Sequence, residues 1–338
     1  MSESTVVRSL PDSEWSSFIE KHPNGNIFHT PEMFEVFSKT QGYRPSLWAV
    51  IDHNRCPLAL LLPVEIFLSN GLLRYFTTRT VVYGSVLWSP SEEGGKALRL
   101  LLQSYIRDGG GASLFTELRN ITNLEAVQPV LREKNFVYED HLNYLIDLSR
   151  SPEAIFQNIG PRTRKNIRRA LSRGDVVIEE VTRREQIREW YGLLQLTYKA
   201  AKVPLADCSL FETAFDILLP KGMIRYTLAR VGKAVAAISA ELIYKDVIYG
   251  WYGGMDRAYS SYVPNDLLTW RILEWGAQNG YRMYDFGGAG KPDQEYKVRD
   301  FKAKFGGSLV CFGRNSYVHR PFLTRIAKQW YPLVRRWL

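Results

Sequence analysis

Apolar and polar positions recur with two periods along the chain, and the switches between them outline its elements. Near the N-terminus, Trp15, Phe18 and Ile19 fall on one side of a helical wheel and predict a helix over 12–21, with Asp12 or Ser13 as N-cap. Thr30-Pro31 opens a second helix, because proline fits the first helical position, where its missing N–H costs nothing; Met33, Phe34 and Phe37 form its apolar stripe. β-rich runs follow at 46–51, 58–67 and 72–88, the last read as two strands broken near Arg79. Ala97, Leu98, Leu101, Leu102 and Tyr105 predict a helix over 95–107, stopped by Gly109-Gly110-Gly111 and followed by a short strand at 112–118. A helix at 124–134 and a long strand at 136–148 complete the first half.

The second half begins at Ser151-Pro152. Helices are expected at 151–159 and 161–172, a strand at 176–181, and helices at 184–201 and 210–218. A strand meander follows at 223–230, 234–244 and 247–253, with turns at Gly232-Lys233 and Lys245-Asp246. Pro264 opens an amphipathic helix to Gln278, carrying Leu267, Leu268, Trp270, Ile272, Leu273 and Trp275; Gly280 ends it before strands at 282–286 and 308–312. The halves share a plan. A strand, a short turn and a longer strand recur at 46–67 and 226–244; a helix, a glycine stop and a short strand recur at 96–118 and 265–286. This order predicts a degenerate duplication of an α+β unit, divided as 1–150, 151–317 and a tail at 318–338.

Composition agrees with two compact domains: 338 residues, 45% apolar, at about 100–200 residues per domain. Cys56, Cys208 and Cys311 lie far apart with no CxxC, and the five histidines are scattered, so neither a disulfide framework nor a metal site is expected. The N-terminal sequence lacks the apolar core of a secretion signal. The most apolar run, 58–68, is interrupted by Pro63 and Glu65 and falls short of the about 20 residues that span a bilayer. A soluble, cytoplasmic protein is the expectation. The net charge of +9 is uneven: residues 301–338 hold eight Lys/Arg and no acid, and residues 162–173 hold six more, again with none.

Familiar cofactor patterns are missing: GxGxxG after a strand, a Walker loop, GxSxG and HExxH. Arg107-Asp-Gly-Gly110-Gly-Ala112 nearly fits the RxxGxG/A pyrophosphate loop of CoA-dependent enzymes, but such a loop must lead into a helix N-terminus, whose N–H groups face the phosphates. Here the glycines follow a helix, so they read as a C-cap and turn. The block at 162–173 crowds Arg164, Lys165, Arg168 and Arg169 on one broad helix face, where like charges four apart repel by a few tenths of a kcal/mol. It is either a solvated surface or a binding face for a pyrophosphate-linked substrate or a nucleic-acid backbone. In Tyr284-Asp285-Phe286-Gly287-Gly288 a carboxylate ends a strand and runs into a glycine-rich loop, which either sets a charge at a cleft or caps nearby N–H groups. Phe301-Lys302-Ala-Lys304-Phe305 is an aromatic–basic repeat, or a plain strand approach with two exposed lysines.

Three of these segments in this order, TRKNIRRA (163–170), PNDLLTWRILEWGAQNGYRMYDFGG (264–288) and FKAKFGG (301–307), resemble the FemAB/FemX family, with a looser match at NIFHTPEMFEVFSKTQGY (26–43). That family consists of aminoacyl transferases that build peptidoglycan bridges on two tandem GNAT-like domains. The resemblance implies an α+β fold of two such domains with a basic amphipathic C-terminal helix. It also implies amide formation on an amine of a phosphate-bearing, lipid-linked or soluble cell-envelope acceptor. Lys302 would stabilise an oxyanion or the donor's end, Phe301 would shape the pocket, and Asp285 would accept a proton or form a pocket wall. Lys39, Arg164, Lys165 and Arg168 would hold a diphosphate, with Tyr252 a further substrate contact. No resident cofactor is implied; the donor would be aminoacyl-tRNA or acyl-CoA. The family's long coiled-coil hairpin has no counterpart here, since 184–201 is one ordinary helix. Two other readings stay open: a CoA- or carrier-dependent N-acyltransferase of exopolymer synthesis, and an inactive GNAT-like module binding nucleic acid through 162–173. In the tail, Phe322, Leu323, Ile326, Trp330 and Leu333 keep helical spacing among basic residues, so 319–338 either docks on the second domain or lies on a membrane at its inner face.

Overall fold

The computed structural model describes residues 4–67 and 74–334. The chain forms two compact units, one made of 1–140 and 312–338, the other of 141–311. The first unit contains β1 (Thr5–Val7), α1 (Asp12–Lys21), α2 (Pro31–Lys39), β2 (Tyr43–Pro45), β3 (Trp48–Ile51), β4 (Pro57–Leu61) and β5 (Val64–Ile66). It continues through α3 (Arg74–Thr77), β6 (Arg79–Tyr83), β7 (Leu87–Trp88), α4 (Glu92–Asp108), β8 (Phe115–Arg119), α5 (Gln128–Glu133) and β9 (Val137–Glu139). The second unit runs through β10 (Leu142–Asp147), α6 (Pro152–Asn158), α7 (Pro161–Arg173), β11 (Val176–Glu180), α8 (Gln186–Ala201), α9 (Cys208–Leu218) and β12 (Ile224–Val231). It closes with β13 (Ala234–Tyr244), β14 (Val247–Met255), α10 (Pro264–Gln278), β15 (Met283–Gly288), α11 (Lys297–Ala303) and β16 (Ser308–Cys311). The chain then returns to the first unit as β17 (Arg314–Val318) and α12 (Pro321–Val334).

In the first unit, β1-β3-β4-β7 form one sheet and β2-β5-β6-β8-β17-β9 another. The expected single strand at 58–67 is divided between them. Pro63 cannot donate to a ladder, and the chain changes sheets there. In the run at 72–88 the first expected strand is instead the helix α3, the second begins at Arg79 as β6, and a further break falls at Gly84-Ser85, both at positive φ, before β7; residues 72 and 73 lie outside the described residues. Helix α4 is capped by Ser91 Oγ, which accepts from Gly94 N at 3.0 Å, and ends at Gly109 as its glycine run implies. Its face of Ala97, Leu98, Leu101, Leu102 and Tyr105 is buried against Trp48, Val50, Val82 and Leu118.

The second unit is a seven-stranded sheet in the order β11-β12-β13-β14-β15-β10-β16. The strand expected over 136–148 is two strands, each in its own unit: β9 pairs with β17, while β10 sits between β15 and β16. The expected boundary at 150 therefore moves to 140, and the expected tail from 318 begins earlier, because β17 pairs with β8 of the first unit. Helix α10 starts at Pro264, behind Val263 at φ 59°, and lies on the sheet face carrying Ala229, Ala237 and Ile248. Burial of Leu267, Leu268, Ile272 and Leu273 in this core supplies about 1.5–3 kcal/mol for each side chain. The opposite face receives α8, whose Trp190 ring meets Tyr226 edge-on at 5.1 Å and whose Nε1 donates to Ser239 O.

Both units repeat one plan, a strand, then a helix, then a strand parallel to the first: β6, α4, β8 and β14, α10, β15. No helix among the described residues is long and apolar enough to cross a membrane. The start of α12 docks on the first unit: His319 N and Arg320 N donate to Leu114 O, Arg320 Nη2 donates to Gly111 O at 2.9 Å, and Thr324 is buried. Phe322 remains 73% exposed. The side chains from Lys328 onward, including Trp330, Leu333, Arg335 and Arg336, lie outside the described residues.

Candidate functional site in the second unit

The site is built where two parallel strands part. β14 and β15 are paired at Val247–Met283, Ile248–Tyr284 and Tyr249–Asp285, and beyond this point β14 continues to Met255 without β15. On its other side β14 pairs with β13, but the register slips: Glu241 lies opposite Gly250 and Ala240 opposite Tyr252. Trp251 is thus an extra residue, a bulge at the level of the parting. A bulge leaves its residue out of the ladder and bends the strand, and so frees backbone polar groups at a cleft. β15 is irregular at the same level, where its pairing to β10 shifts between Asn143 and Leu145 and Gly287 has φ 70°. Gly250 is needed for space, since a Cβ there would lie 2.8 Å from Tyr284 Oη.

Asp285 sits at the last paired position, 3% exposed. Its Oδ1 accepts from Gly287 N at 2.7 Å, and Asn143 Nδ2 lies 3.3 and 3.4 Å from its two oxygens. Burial pushes its pKa up to about 6, against the Gly287 N–H, the charge of Lys302 and the Asn143 amide. At neutral pH it is an ionised carboxylate and a competent proton acceptor. Lys302, on α11, is 8% exposed, and burial pulls its pKa down to about 8 against the charge of Asp285. Its Nζ donates to Phe286 O at 2.6 Å, Gly288 O at 2.7 Å and Gly287 O at 3.2 Å. An ammonium has three donors, and three consecutive carbonyls take them. Here Lys302 clamps the glycine turn behind Asp285; to meet an oxyanion it would have to release one carbonyl. Phe301 packs edge-on against Phe305 at 5.3 Å, and Phe305 in turn lies 5.8 Å from Phe286, so Phe301 braces the same turn.

The sequence reading overlooked Glu241. It is fully buried in the interior strand β13, Ser239 Oγ donates to its Oε1, and its Oε2 has no partner among the described residues. Burial raises its pKa to about 8, so it is protonated at neutral pH. A lone acid in the apolar run AVAAISAELIY was the signal that could have found it.

Tyr252, just past the bulge, joins an aromatic wall with Phe211 at 4.8 Å, Trp251 at 5.0 Å and Tyr198 at 5.9 Å. Helix α7 buries Thr163, Ile167 and Ala170 and presents Arg162, Lys165, Arg168 and Arg169 to solvent. Arg164 turns back to donate to Gln157 O, Arg168 lies 5.3 Å over the Phe156 ring, and Arg173 is 3.9 Å from Asp175. The structure therefore joins Asp285, Lys302 and Phe301 around one turn and sets Arg164, Lys165 and Arg168 on one helix. Lys39 belongs to the first unit, where it is exposed and pairs with Glu35 at 2.6 Å.

The acetyltransferase (GNAT) domain family matches residues 161–298, from the start of α7 into α11. The chain is 20% identical to the lipid II:glycine glycyltransferase of Staphylococcus saprophyticus subsp. saprophyticus over 89% of its own length and 90% of that protein's. It is 19% identical to the enzyme of the same name from Staphylococcus haemolyticus over 96% and 95%. The crystal structure of FemX superposes with a TM-score of 0.71 at 14% identity, covering 96% of this chain and 99% of FemX. A tandem GNAT protein from the clavulanic acid biosynthesis pathway superposes with a TM-score of 0.57 at 10% identity, over 94% of this chain and 99% of its own. With its parted parallel strands, its GNAT domain over 161–298 and these likenesses, the chain has a tandem GNAT fold like that of FemX and is similar over most of its length to the lipid II:glycine glycyltransferases.

Proposed function

We propose that the second unit is an aminoacyltransferase centre that forms an amide on an amine of a lipid-linked peptidoglycan precursor. The parting of β14 from β15 beside Asp285, with a bulge at Trp251, carries this reading. The acceptor amine gives its proton to the Asp285 carboxylate and attacks the ester carbonyl of the donor. The C–N bond forms, the oxyanion is met by a backbone N–H freed at the bulge, and the C–O bond to the donor breaks as its hydroxyl leaves with the proton. Lys302 acts as a positioning residue that fixes the turn holding Asp285.

Aminoacyl-tRNA is the donor favoured over acyl-CoA. A CoA pyrophosphate needs a cradle of N–H groups at a helix N-terminus, and α10 opens on Val263-Pro264, with no glycine between Asp256 and Val263 and no N–H at Pro264. The exposed cations of α7 suit the phosphates of a nucleic acid or of the acceptor's diphosphate. Mass spectrometry of a peptidoglycan precursor incubated with this protein and either charged tRNA or acyl-CoA tests the reading. An aminoacylated product with tRNA alone is expected; a product with acyl-CoA alone would replace the donor, and no product with either would sink the reading.

The acceptor's lipid places the enzyme at the inner face of the membrane, and the exposed Phe322 with the acid-free basic tail suits such contact. Removing 328–338, which leaves the His319 and Thr324 contacts in place, is expected to abolish sedimentation with anionic vesicles. Unchanged sedimentation would retire the membrane role of the tail.

A further inference from the structure

The first unit carries an unassigned cluster of guanidinium groups. By strand register, Val81 lies beside Glu117, Tyr83 beside Arg119, and Arg119 opposite Arg314, so Arg79, Glu117, Arg119 and Arg314 share one face of the six-stranded sheet. The alternate positions, Val82 and Leu118, face α4 in the core. Glu117 Oε1 accepts from Arg119 Nε at 2.7 Å, and Arg314 Nη1 lies 3.3 Å from both carboxylate oxygens. Burial would raise the Glu117 pKa, but Arg119, Arg314 and Arg79 together hold it below the ordinary value. Arg119 also lies 5.3 Å over the Tyr83 ring. The other acid by register is Glu139, exposed on the edge strand opposite Arg314.

Among the described residues, Arg79 has no carboxylate of its own. Its charge acts on Glu117 and Tyr43, yet its Nε is buried without a hydrogen-bond partner. Leaving a charged donor buried and unpaired is costly, and such a group persists where something else completes it. Planar guanidinium forks match carboxylate and phosphate oxygens in particular.

We propose that Arg79, with Arg119 and Arg314, forms an oxyanion site on the first unit that takes a carboxylate or phosphate group of an anionic ligand. Glu117 holds Arg119 and Arg314 in place, and Arg79, with no ion pair among the described residues, supplies a further guanidinium. The site does not depend on the chemistry of the second unit. Its ligand group has two sources, a peptide carboxylate or a phosphate, and one titration separates them.

The full-length protein is titrated with inorganic pyrophosphate, with N-acetyl-D-alanyl-D-alanine, and with chloride at matched ionic strength, and thermal unfolding is followed. A saturable upward shift of several degrees with one of the two anions, absent with chloride, is expected for the wild type. In Arg79→Gln that shift should vanish while the ligand-free Tm stays level or rises, because a buried Nε–H without a partner has been removed. A structural role would lower it. Pyrophosphate alone producing the shift marks the source as phosphate, and the dipeptide alone marks a carboxylate. No shift in the wild type, an equal shift in Arg79→Gln, or a lower ligand-free Tm in that variant would overturn the site. Should Arg79→Gln not fold, Arg119→Gln is read in the same titration and must lose the shift. No donor is present, so the result is independent of whether the protein transfers an aminoacyl group.

Discussion

The two units use one strand–helix–parallel strand plan and end it differently. In the first unit, β6 and β8 stay paired from Thr80–Thr116 to Tyr83–Arg119, to the end of both strands. On its α4 side the junction is filled by hydroxyls and an imidazole: Thr80 and Ser113 hydroxyls at 2.6 Å, Tyr105 and Thr116 hydroxyls at 2.6 Å, and Thr116 Oγ1 with His319 Nε2 at 2.7 Å. Burial pushes Tyr105 up to about 12 and His319 down to about 4, so both are neutral at pH 7. In the second unit the pairing stops after three residue pairs, and the junction holds an ionised Asp285 and a protonated Lys302. Asp285 and Lys302, both buried, sit where the strands open; where they stay closed, hydroxyls and an imidazole fill the α4 side and the charged Glu117, Arg119 and Arg314 lie on the other face. A closed junction with satisfied hydroxyls stabilises; an open one with buried charges costs stability, as the proposed proton-transfer site would.

Removing Lys302 should break this contrast most. Lys302→Ala leaves the carbonyls of Phe286, Gly287 and Gly288 without their donor, partly offset by the loss of a buried charge. A loss of about 2–4 kcal/mol in urea unfolding is expected. Turnover should fall about a hundredfold or more, because the turn behind Asp285 shifts. Thr116→Val, at the matching junction of the first unit, should cost about 1 kcal/mol and leave turnover unchanged. An inactive Lys302→Ala with an unchanged urea midpoint would move the lysine from clamp to reaction centre.

Asp285→Asn comes next. The wild-type rate should climb with pH through about 6 as the carboxyl ionises, and the variant should lose this limb along with about 10²–10⁴ in rate. The sign for stability is opposite. A folded pKa of about 6 against about 3.9 unfolded means that the native state holds the proton longer. The stability contributed by the protonated form is full below about pH 4 and lost as pH rises through 6, a loss that the asparagine variant should not show. A rate profile with the same acid limb in both proteins would remove Asp285 from the proton-transfer step.

The sequence made the helices legible where a cap and a stripe coincide: α2 from Thr30-Pro31, α7 from Pro161, α10 from Pro264. It hid what depends on long-range pairing. Nothing local in RNSYV says that β17 returns to β8 across some two hundred residues, and nothing in 136–148 marks a change of unit beyond its charged centre, Glu139-Asp140. The candidate site divides the same way. Asp285 and Lys302 stood out by motif, but burial and the three carbonyls that hold the lysine are properties of the turn, not of the letters. Arg79 and Glu117 sit at alternating strand positions and read as a solvated face until the register sets them beside Arg119 and Arg314.

The smallest expected effect lies in the closed junction, at His319. Its ring is held neutral between Thr116 and the close-packed backbone of Gly110, where an added Cβ would come within 2.6 Å of Nδ1. Burial, with the charge of Arg320, keeps the folded pKa at about 4, while the unfolded chain titrates near 6.5. Between these values the unfolded state binds more protons, so wild-type stability is full above about 6.5 and declines as the pH falls toward 4. His319→Gln can still reach Thr116 and has nothing to titrate. It should lose about 1 kcal/mol or less at pH 7, and its Tm should fall less between pH 7 and pH 5 than that of the wild type. Turnover at pH 7 should be unaltered, since the proposed chemistry lies in the second unit. Parallel Tm curves for the two proteins would show that His319 is not held neutral, and the division between an uncharged closed junction and a charged open one would then fail on the side of the first unit.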